Sequence, residues 1–120
     1  MEEGDLIRWR EVGKTVTDSV VVLSTARPGE GDAIAMKLVE EKLAACVNTV
    51  HVKSFFSWEG KLSDEREELL IIKTGAHLVD PLKARIKVLH SYEVPEIIVI
   101  PIVGGDEGYL KWLGESIKHG

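Results

Sequence analysis

The chain has a single cysteine, Cys46, and no long apolar run among its 120 residues. One cysteine cannot form a disulfide within the chain. No apolar segment approaches the ~20 residues that a membrane-spanning helix requires. The first residues, Met1 to Asp5, carry acidic side chains, whereas a secretory signal begins with positive charge. From these absences we expect a protein that resides in the cytoplasm.

Positive charge is also scarce, because 15 lysine and arginine residues stand against 20 aspartate and glutamate residues, for a net charge of -5. A negatively charged protein is repelled by phosphate backbones and by anionic lipid headgroups. We therefore expect no nucleic-acid partner and no membrane partner.

The organised pattern begins at Val20, and the length suits one domain with one hydrophobic core. We predict an N-terminal extension at residues 1–19 and a single domain at residues 20–120. In the extension, Ile7 and Trp9 alternate with arginines. This alternation is typical of a short surface strand, but a loosely attached arm is an equal alternative.

The first half of the domain has the pattern of a strand, a turn and a helix. The β-branched run Val20 to Leu23 predicts the strand, and Arg27 to Gly29 supplies turn residues. Asp32 offers an N-cap carboxylate. Apolar residues then recur at helical spacing, and we assign to this helix Ile34, Ala35, Leu38, Val39 and Leu43.

Two long extended segments follow, Ala45 to Trp58 and Lys61 to Lys73, on either side of Glu59-Gly60. Two turn residues between extended segments predict a β-hairpin. The second arm ends in the unbroken apolar run Leu69 to Ile72, which is typical of a strand inside a sheet.

Asp80-Pro81 predicts the start of a second helix, with the carboxylate as cap and the proline at the first helical position. The final strand is predicted at Ile97 to Val103. Pro101 lacks the N–H that a central strand needs, so this strand belongs at a sheet edge. Tyr109 to Leu113 predicts a short C-terminal helix.

This order of elements predicts an α+β fold, a ferredoxin-like βαββαβ sandwich with a long β-hairpin and a short C-terminal helix. The usual strand order of that unit is 4-1-3-2. The order places the last strand at an edge and the apolar third strand inside the sheet, as the two segments require.

The predicted hairpin is too long for its sheet. Its arms of about 13 residues span roughly 40 Å at ~3.3 Å per residue, about twice the length of the first and last strands. The tip carries Phe55, Phe56 and Trp58, and exposed aromatic rings on unpaired strands favour association. We therefore predict that neighbouring subunits cover the tip. The alternative is a bulge near Lys53-Ser54 that folds the hairpin back on its own sheet.

Four segments together resemble the CutA divalent-cation-tolerance family. They are Leu43 to Asn48, Trp58 to Lys61, Glu67 to Thr74 and His90 to Ile97. The resemblance runs from about Val20 to Ile117. It implies a homotrimer of ferredoxin-like subunits, packed through their sheets and long hairpins, with a role in tolerance to copper and other divalent metals. Ser91 stands where the family usually has proline, so we expect a looser backbone around His90 and Tyr92.

Three side chains are candidate metal ligands: Cys46, His90 and Glu93. A thiolate and an imidazole suit copper or zinc, and Glu93 or Glu67 would complete a mixed shell. The sequence contains no Cys-x-x-Cys and no His-x-x-x-His pair. We therefore expect copper or another divalent metal to be bound weakly. For Cys46 the alternative is a small buried hydrophobe in a strand.

His90 ends the second predicted helix, and Tyr92 and Glu93 follow in the same loop. If subunits meet there, side chains of a hairpin join them. We predict an inter-subunit cleft formed by Trp58, Glu67, Lys73, His90, Tyr92 and Glu93. The simpler alternatives are a protonated His90 at the negative end of the helix and a Trp58 that only packs at an interface.

Three function classes remain. The first is a homotrimeric divalent-metal binding and tolerance protein with weak inter-subunit sites, and it rests mainly on the resemblance. The second is a small-molecule-sensing trimer like the PII signalling proteins, although no glycine-rich phosphate loop is evident. The third is an enzyme. We expect no enzyme, since no serine, threonine or cysteine is visibly paired with a base.

Overall fold

The computed structural model describes residues 17–119. Most of the predicted extension at residues 1–19 therefore lies outside the described residues, as does the alternating segment around Ile7 and Trp9. The first described residues are hydrogen-bonded to other parts of the domain. The Thr17 hydroxyl donates to the carbonyl of Ile102 at 2.5 Å, and the N–H of Ala76 donates to the carbonyl of Asp18 at 2.7 Å.

Between residues 17 and 119 the chain forms four strands and three α-helices: β1 (Ser19–Ala26), α1 (Glu30–Glu40), β2 (Cys46–Trp58), β3 (Lys61–Gly75), α2 (Val79–Leu89), β4 (Ile98–Pro101) and α3 (Glu107–Glu115). The sheet order is β2-β3-β1-β4, and each neighbouring pair is antiparallel. This is the predicted order 4-1-3-2, and the ferredoxin-like fold is confirmed. Pro101 lies on the edge strand, as predicted.

Strand alternation places one face of the sheet against α1 and α2. In β1 every second residue is buried, and the neighbouring strand β3 follows the same alternation from Glu68 onward. The buried core consists of Val20, Val22, Ala26, Ile34, Leu38, Leu43, Ala44, Leu70, Ile72, Leu82 and Ile86. Each large aliphatic side chain in it contributes roughly 1.5–3 kcal/mol relative to exposure.

The opposite face of the sheet is called the open face below. The strand registers place on it Val21, Leu23, Val50, Leu69, Ile71, Ile98 and Ile100. These side chains are half-buried or exposed, in contrast to the core residues beside them. The open face is therefore an apolar surface.

Both N-cap predictions are wrong. Helix α1 begins at Glu30, after Gly29, whose φ of 87° suits only glycine. Asp32 lies in the first turn and accepts a hydrogen bond from the Thr49 hydroxyl at 2.8 Å. Helix α2 begins at Val79, because the 3₁₀ turn Ala76–Leu78 leads into it, and Asp80 lies inside the helix. The two carboxylates still lie near positive helix ends, where the backbone dipoles favour them.

The hairpin pairs without interruption from Cys46 opposite Lys73 to Trp58 opposite Lys61. No bulge occurs near Lys53, so the hairpin does not fold back. The turn residues Glu59 and Gly60 have φ of 51° and 77°, as a two-residue type I′ turn requires. Since β1 pairs with β3 only from Glu68 onward, residues 52–67 extend past the sheet. This segment is called the overhang below.

Helix α3 packs at the end of the sheet opposite the overhang. Its Leu113 and the following Ile117 form a second small core with Ala45 and Leu78. Asp106 caps the helix by accepting a hydrogen bond from the N–H of Tyr109 at 3.0 Å. The predicted C-terminal helix is confirmed.

Candidate functional site

A polar cluster lies where the overhang joins the four-stranded part of the sheet. Strand β4 pairs with β1 only at Val20 to Leu23, so the described sheet leaves the end of β1 free on that side. The segment that follows α2 passes this free end. As a result, four segments meet in one place: the end of β1, the start of α1, the loop after α2 and the first residues of β3 beside β1.

His90 is the centre of the cluster, and its side chain is fully buried. Its Nε2 lies 2.7 Å from the carbonyl oxygen of Thr25, and its Nδ1 lies 3.0 Å from the backbone nitrogen of Tyr92. Since the Tyr92 N–H can only donate, Nδ1 accepts, and the ring carries its proton on Nε2. Both ring nitrogens are therefore engaged within the subunit, in contact with the end of β1 rather than with the end of its own helix.

Glu30 and Ser91 connect the first turn of α1 to the loop after α2. The Ser91 N–H donates to Oε1 of Glu30 at 2.6 Å, and the Ser91 hydroxyl donates to Oε2 at 2.8 Å. Burial alone would raise the pKa of Glu30, but these two hydrogen bonds, with the charge of Arg27, lower it overall. Glu30 thus holds both donors of Ser91, and the expected looseness of the backbone there stays a prediction.

Tyr92 reaches from this loop to the hairpin. Its hydroxyl donates to Oε2 of Glu67 at 2.9 Å, and its ring lies 4.6 Å from that of His90 between centroids. Burial, together with the hydrogen bond and charge of Glu67, raises the pKa of Tyr92 to about 12. The Arg27 guanidinium lies 5.6 Å from the Tyr92 ring centroid. The cluster thus combines a phenol, a carboxylate and a cation at the base of the overhang.

The next residue of β3, Glu68, points to the opposite face and is 2% exposed. Its Oε1 accepts a hydrogen bond from the N–H of Gly31 at 3.0 Å. A Cβ on Gly31 would lie 2.8 Å from Cβ of Glu68, so only glycine fits this approach. The buried carboxylate is stabilised by the positive end of α1.

Sequence reasoning missed Glu30, Gly31 and Glu68. Glu30 meets Ser91 across 61 positions of sequence, and no local pattern predicts such a contact. Glu68 did have a signal. It directly precedes the apolar run of an interior strand, where a carboxylate must find a donor if it is buried.

The structure brings together Glu67, His90 and Tyr92 of the predicted cleft, but not Cys46 and Lys73. Cys46 lies opposite Lys73, and Thr25 lies opposite Leu69. The two partners, Leu69 and Lys73, are four residues apart on β3, or about 13 Å at ~3.3 Å per residue. Cys46 is half-buried, and the Lys73 ammonium donates to the side-chain oxygen of Asn48.

Trp58 is also separate from the cluster. Trp58 lies at the tip, 65% exposed, six residues beyond Val52, the partner of Glu67, or roughly 20 Å away along β2. Glu93 follows Tyr92 in the chain and is exposed to solvent. Within one subunit, therefore, Trp58 does not reach the cluster.

No three side chains of histidine, cysteine, aspartate or glutamate converge as metal ligands within residues 17–119. Carboxylate and phenol oxygens are the donors that the cluster offers without disrupting other contacts. To bind a cation through Nδ1, His90 would have to give up the hydrogen bond from the Tyr92 N–H, while Nε2 could keep the one to Thr25. In the same part of the chain, no helix has the length and apolar character needed to cross a membrane.

Comparisons with known proteins agree on one family. The family model for the CutA1 divalent ion tolerance protein matches residues 19–116. The divalent-cation tolerance protein CutA of Thermus thermophilus is 43% identical over 100 residues, which are 82% of this chain and 97% of that protein. Protein CutA, chloroplastic, of Arabidopsis thaliana is 45% identical over 114 residues, 94% of this chain. The chain spans 63% of the length of that plant protein.

Solved structures agree with the fold. CutA1 of Oryza sativa superposes with a TM-score of 0.83 at 45% identity and covers 85% of this chain and 95% of its own. The Thermus thermophilus protein gives a TM-score of 0.80 at 45% identity, over 83% of this chain and 99% of its own. CutA of Archaeoglobus fulgidus gives 0.81 at 39% identity, over 83% and 99%.

The expectation of a cytoplasmic protein is wrong. The Arabidopsis relative is named chloroplastic, and the Archaeoglobus structure is described as periplasmic. Relatives that share this domain therefore occur outside the cytoplasm, and scarcity of cysteine and positive charge does not assign a compartment. On the match over residues 19–116 and the similarity to proteins of matching length, the chain belongs to the CutA1 divalent ion tolerance protein family.

Proposed function

We propose that the chain works as a homotrimer that binds divalent cations of the copper type weakly, in clefts between its subunits, and so contributes to cation tolerance. The observation that carries this proposal is the apolar open face, which continues into an overhang that its own subunit does not cover. The family resemblance implies the trimer and the cations. The proposal assigns binding and not catalysis.

The open face supports self-association through its exposed aliphatic side chains. Val50, Ile98 and Ile100 are 46%, 47% and 43% exposed, and they lie beside half-buried residues of β1 and β3. Contiguous apolar patches of this kind on soluble proteins mark interaction surfaces. A second copy of the sheet supplies the matching apolar surface.

The overhang supports the same conclusion. Phe55, Trp58 and Leu62 are 66%, 65% and 82% exposed at its tip. An isolated two-stranded ribbon is marginally stable in water, and three or more strands or a packed partner are needed to hold it. Contacts with neighbouring subunits would cover the rings and bring Trp58 of one subunit toward the cluster of another.

Cation binding, in this proposal, takes place beside Tyr92 at the base of the overhang. Glu67 and Glu93 are its first ligands, because each is a carboxylate with at least one oxygen available to a cation. His90 would join as a borderline ligand after local rearrangement, and Cys46 would join as a soft ligand only from another subunit. Lys73 and Trp58 line the cleft once subunits meet. Weak affinity follows from a ligand set that one subunit does not bring together.

Sedimentation equilibrium tests the assembly. We expect three times the subunit mass of 13.3 kDa for the wild type. Ile100→Lys places a charge in the open face and should dissociate the trimer. Met36→Lys is the matched control, since Met36 is 64% exposed on α1, away from that face, and should leave the mass unchanged. A wild-type monomer at micromolar concentration would contradict the proposal.

Titration of Cu²⁺ and Zn²⁺ followed by calorimetry tests the binding. We expect weak saturable binding that Glu67→Gln reduces, because the variant removes a charged oxygen ligand. Cys46→Ala separates the ligand hypothesis from the packing alternative. Equal affinity in Cys46→Ala and wild type would remove the cysteine from the ligand set, and no saturable binding to the wild type would contradict the cation proposal.

A second candidate, a PII-like small-molecule sensor, is favoured by one observation. The Arg27 guanidinium lies over the Tyr92 ring and places a cation in the same cleft, where an anionic metabolite would meet it. A thermal-shift screen of the trimer against divalent cations and nucleotides distinguishes the two candidates. Stabilisation by nucleotides alone would favour the sensor.

A further inference from the structure

We propose that Glu30 and Ser91 are positioning residues of the cleft, forming a clamp that holds the segment His90 to Tyr92 so that the Tyr92 hydroxyl meets Glu67. The existence of the clamp stands on the geometry of one subunit. Its effect on a ligand rests on the proposed function, because it requires that the cleft bind one.

The clamp has two connections at one carboxylate. The backbone N–H and the hydroxyl of Ser91 reach the two oxygens of Glu30 at 2.6 and 2.8 Å. Hydrogen bonds to an ionised group are roughly twice as strong as neutral ones, and a two-point contact also fixes orientation. Glu30 itself is held in the first turn of α1, which packs on the sheet.

From Ser91 the constraint passes to both neighbours in the chain. The N–H of Tyr92 donates to Nδ1 of His90, and Nε2 of His90 donates to the carbonyl of Thr25. The segment between α2 and β4 has no regular structure from His90 to Ile97. Side-chain contacts therefore determine its course, and the Glu30 contact is the one that joins it to α1.

The last connection, the hydrogen bond from Tyr92 to Glu67, determines which Glu67 oxygen is available in the cleft. The Tyr92 hydroxyl occupies Oε2 of Glu67, while Oε1 accepts no hydrogen bond within residues 17–119. With Tyr92 in place, Glu67 is held in one orientation with one oxygen free for a cation. If the clamp opens, the carboxylate loses that orientation. Ordering it again on binding then weakens the affinity for the ligand.

Substitutions at positions 30 and 91 grade the clamp. Glu30→Ala removes both acceptor oxygens. Ser91→Ala keeps the N–H alone, and Ser91→Thr keeps both donors. Ser116→Ala is the matched control, because the Ser116 hydroxyl makes one 2.7 Å hydrogen bond to Trp112, far from the cluster.

Hydrogen exchange of the Tyr92 amide, measured by NMR, reports the clamp directly. We expect exchange in Glu30→Ala to be faster by about tenfold or more, in Ser91→Ala to be intermediate, and in Ser91→Thr and Ser116→Ala to match the wild type. Unchanged Tyr92 exchange in a folded Glu30→Ala would overturn the clamp. If Glu30→Ala does not fold, Ser91→Ala carries the same test.

Titration of each variant with Cu²⁺ alone tests the effect on binding. We expect the Kd to rise by about tenfold in Glu30→Ala and to stay at the wild-type value in Ser91→Thr. An unchanged Kd in Glu30→Ala, alongside faster Tyr92 exchange, would overturn the positioning role. Absence of Cu²⁺ binding to the wild type would instead overturn the proposed function, and the two failures are therefore distinct.

Discussion

The base of the sheet and the overhang are parts of the same hairpin, yet they differ in what covers them. In the base, β3 has neighbours on both sides and helices over one face, so that Leu70 is 1% exposed. In the overhang the same strand has one neighbour, and Leu62 is 82% exposed. Pairing is unbroken across both regions. The comparison teaches that one continuous strand pair changes from a buried core to an exposed ribbon at the point where β1 ends.

The largest loss of stability should result from a substitution in the base of the sheet. Ile72→Ala removes a fully buried side chain from the core and should lower the free energy of unfolding by about 2–5 kcal/mol, through lost burial and the cavity left behind. Urea unfolding at fixed protein concentration measures it. A loss no larger than that of Leu62→Ala, its counterpart in the overhang, would break the comparison.

A smaller effect is expected at the border of the two regions. Gly31→Ala places a methyl group against Glu68, and relief of that overlap should cost about 1–3 kcal/mol. Gly114→Ala is the control within α3, because no atom lies within 4 Å of the added group and alanine favours helix by up to about 1 kcal/mol. Thermal unfolding of both variants checks the sign, and a stabilised Gly31→Ala would contradict the close approach.

The overhang should respond in a different way. Leu62→Ser should change stability by less than about 0.5 kcal/mol if the side chain faces only water, but by more if a neighbouring subunit covers it. We expect the second outcome at micromolar concentration, with melting temperatures of variant and wild type that both fall as the protein is diluted. Thermal unfolding across a roughly hundredfold dilution would show it. Melting temperatures that do not depend on concentration would contradict coverage by other subunits.

The smallest effect concerns Tyr92, which joins the two regions at Glu67. Burial and Glu67 raise its pKa to about 12, against about 10 in an unfolded chain. The raised pKa means that its contribution to stability is complete below pH ~10 and is lost as pH rises toward ~12. Tyrosinate absorbance in a Tyr109→Phe background should therefore show a midpoint near 12, and Glu67→Gln should lower it. A midpoint near 10 in the parent would contradict the contact with Glu67.

Much of the fold was predictable because its signals are local. Four local signals predicted their elements correctly: the β-branched run of β1, the apolar run of β3, the Glu59-Gly60 turn and Pro101 on the edge strand. The first residues of the helices were harder to predict. At Gly29 a backbone conformation, and not a capping carboxylate, begins α1, and the 3₁₀ turn before Val79 displaces Asp80 into the helix.

The site was predictable only in part. Tyr92 and His90 are two residues apart, so their association could be predicted from the sequence, and Glu67, which was predicted to join them between subunits, contacts Tyr92 within one subunit. Glu30 is distant in sequence and meets Ser91 only through the packing of α1 beside the end of α2. Contacts between subunits depend on surfaces that no single chain brings together. The places of Cys46, Trp58, Lys73 and Glu93 in a metal site or cleft remain predictions.

Hydrogen exchange along the hairpin of the wild type tests the central claim most directly. If other subunits complete the overhang, backbone amides of residues 61–67 should be protected to a degree comparable with those of Glu68 to Gly75 in the base. A bare two-stranded ribbon would open locally and exchange far faster than the core strand beside it. Comparable protection at micromolar concentration is the predicted result, and rapid exchange confined to the overhang would contradict the account.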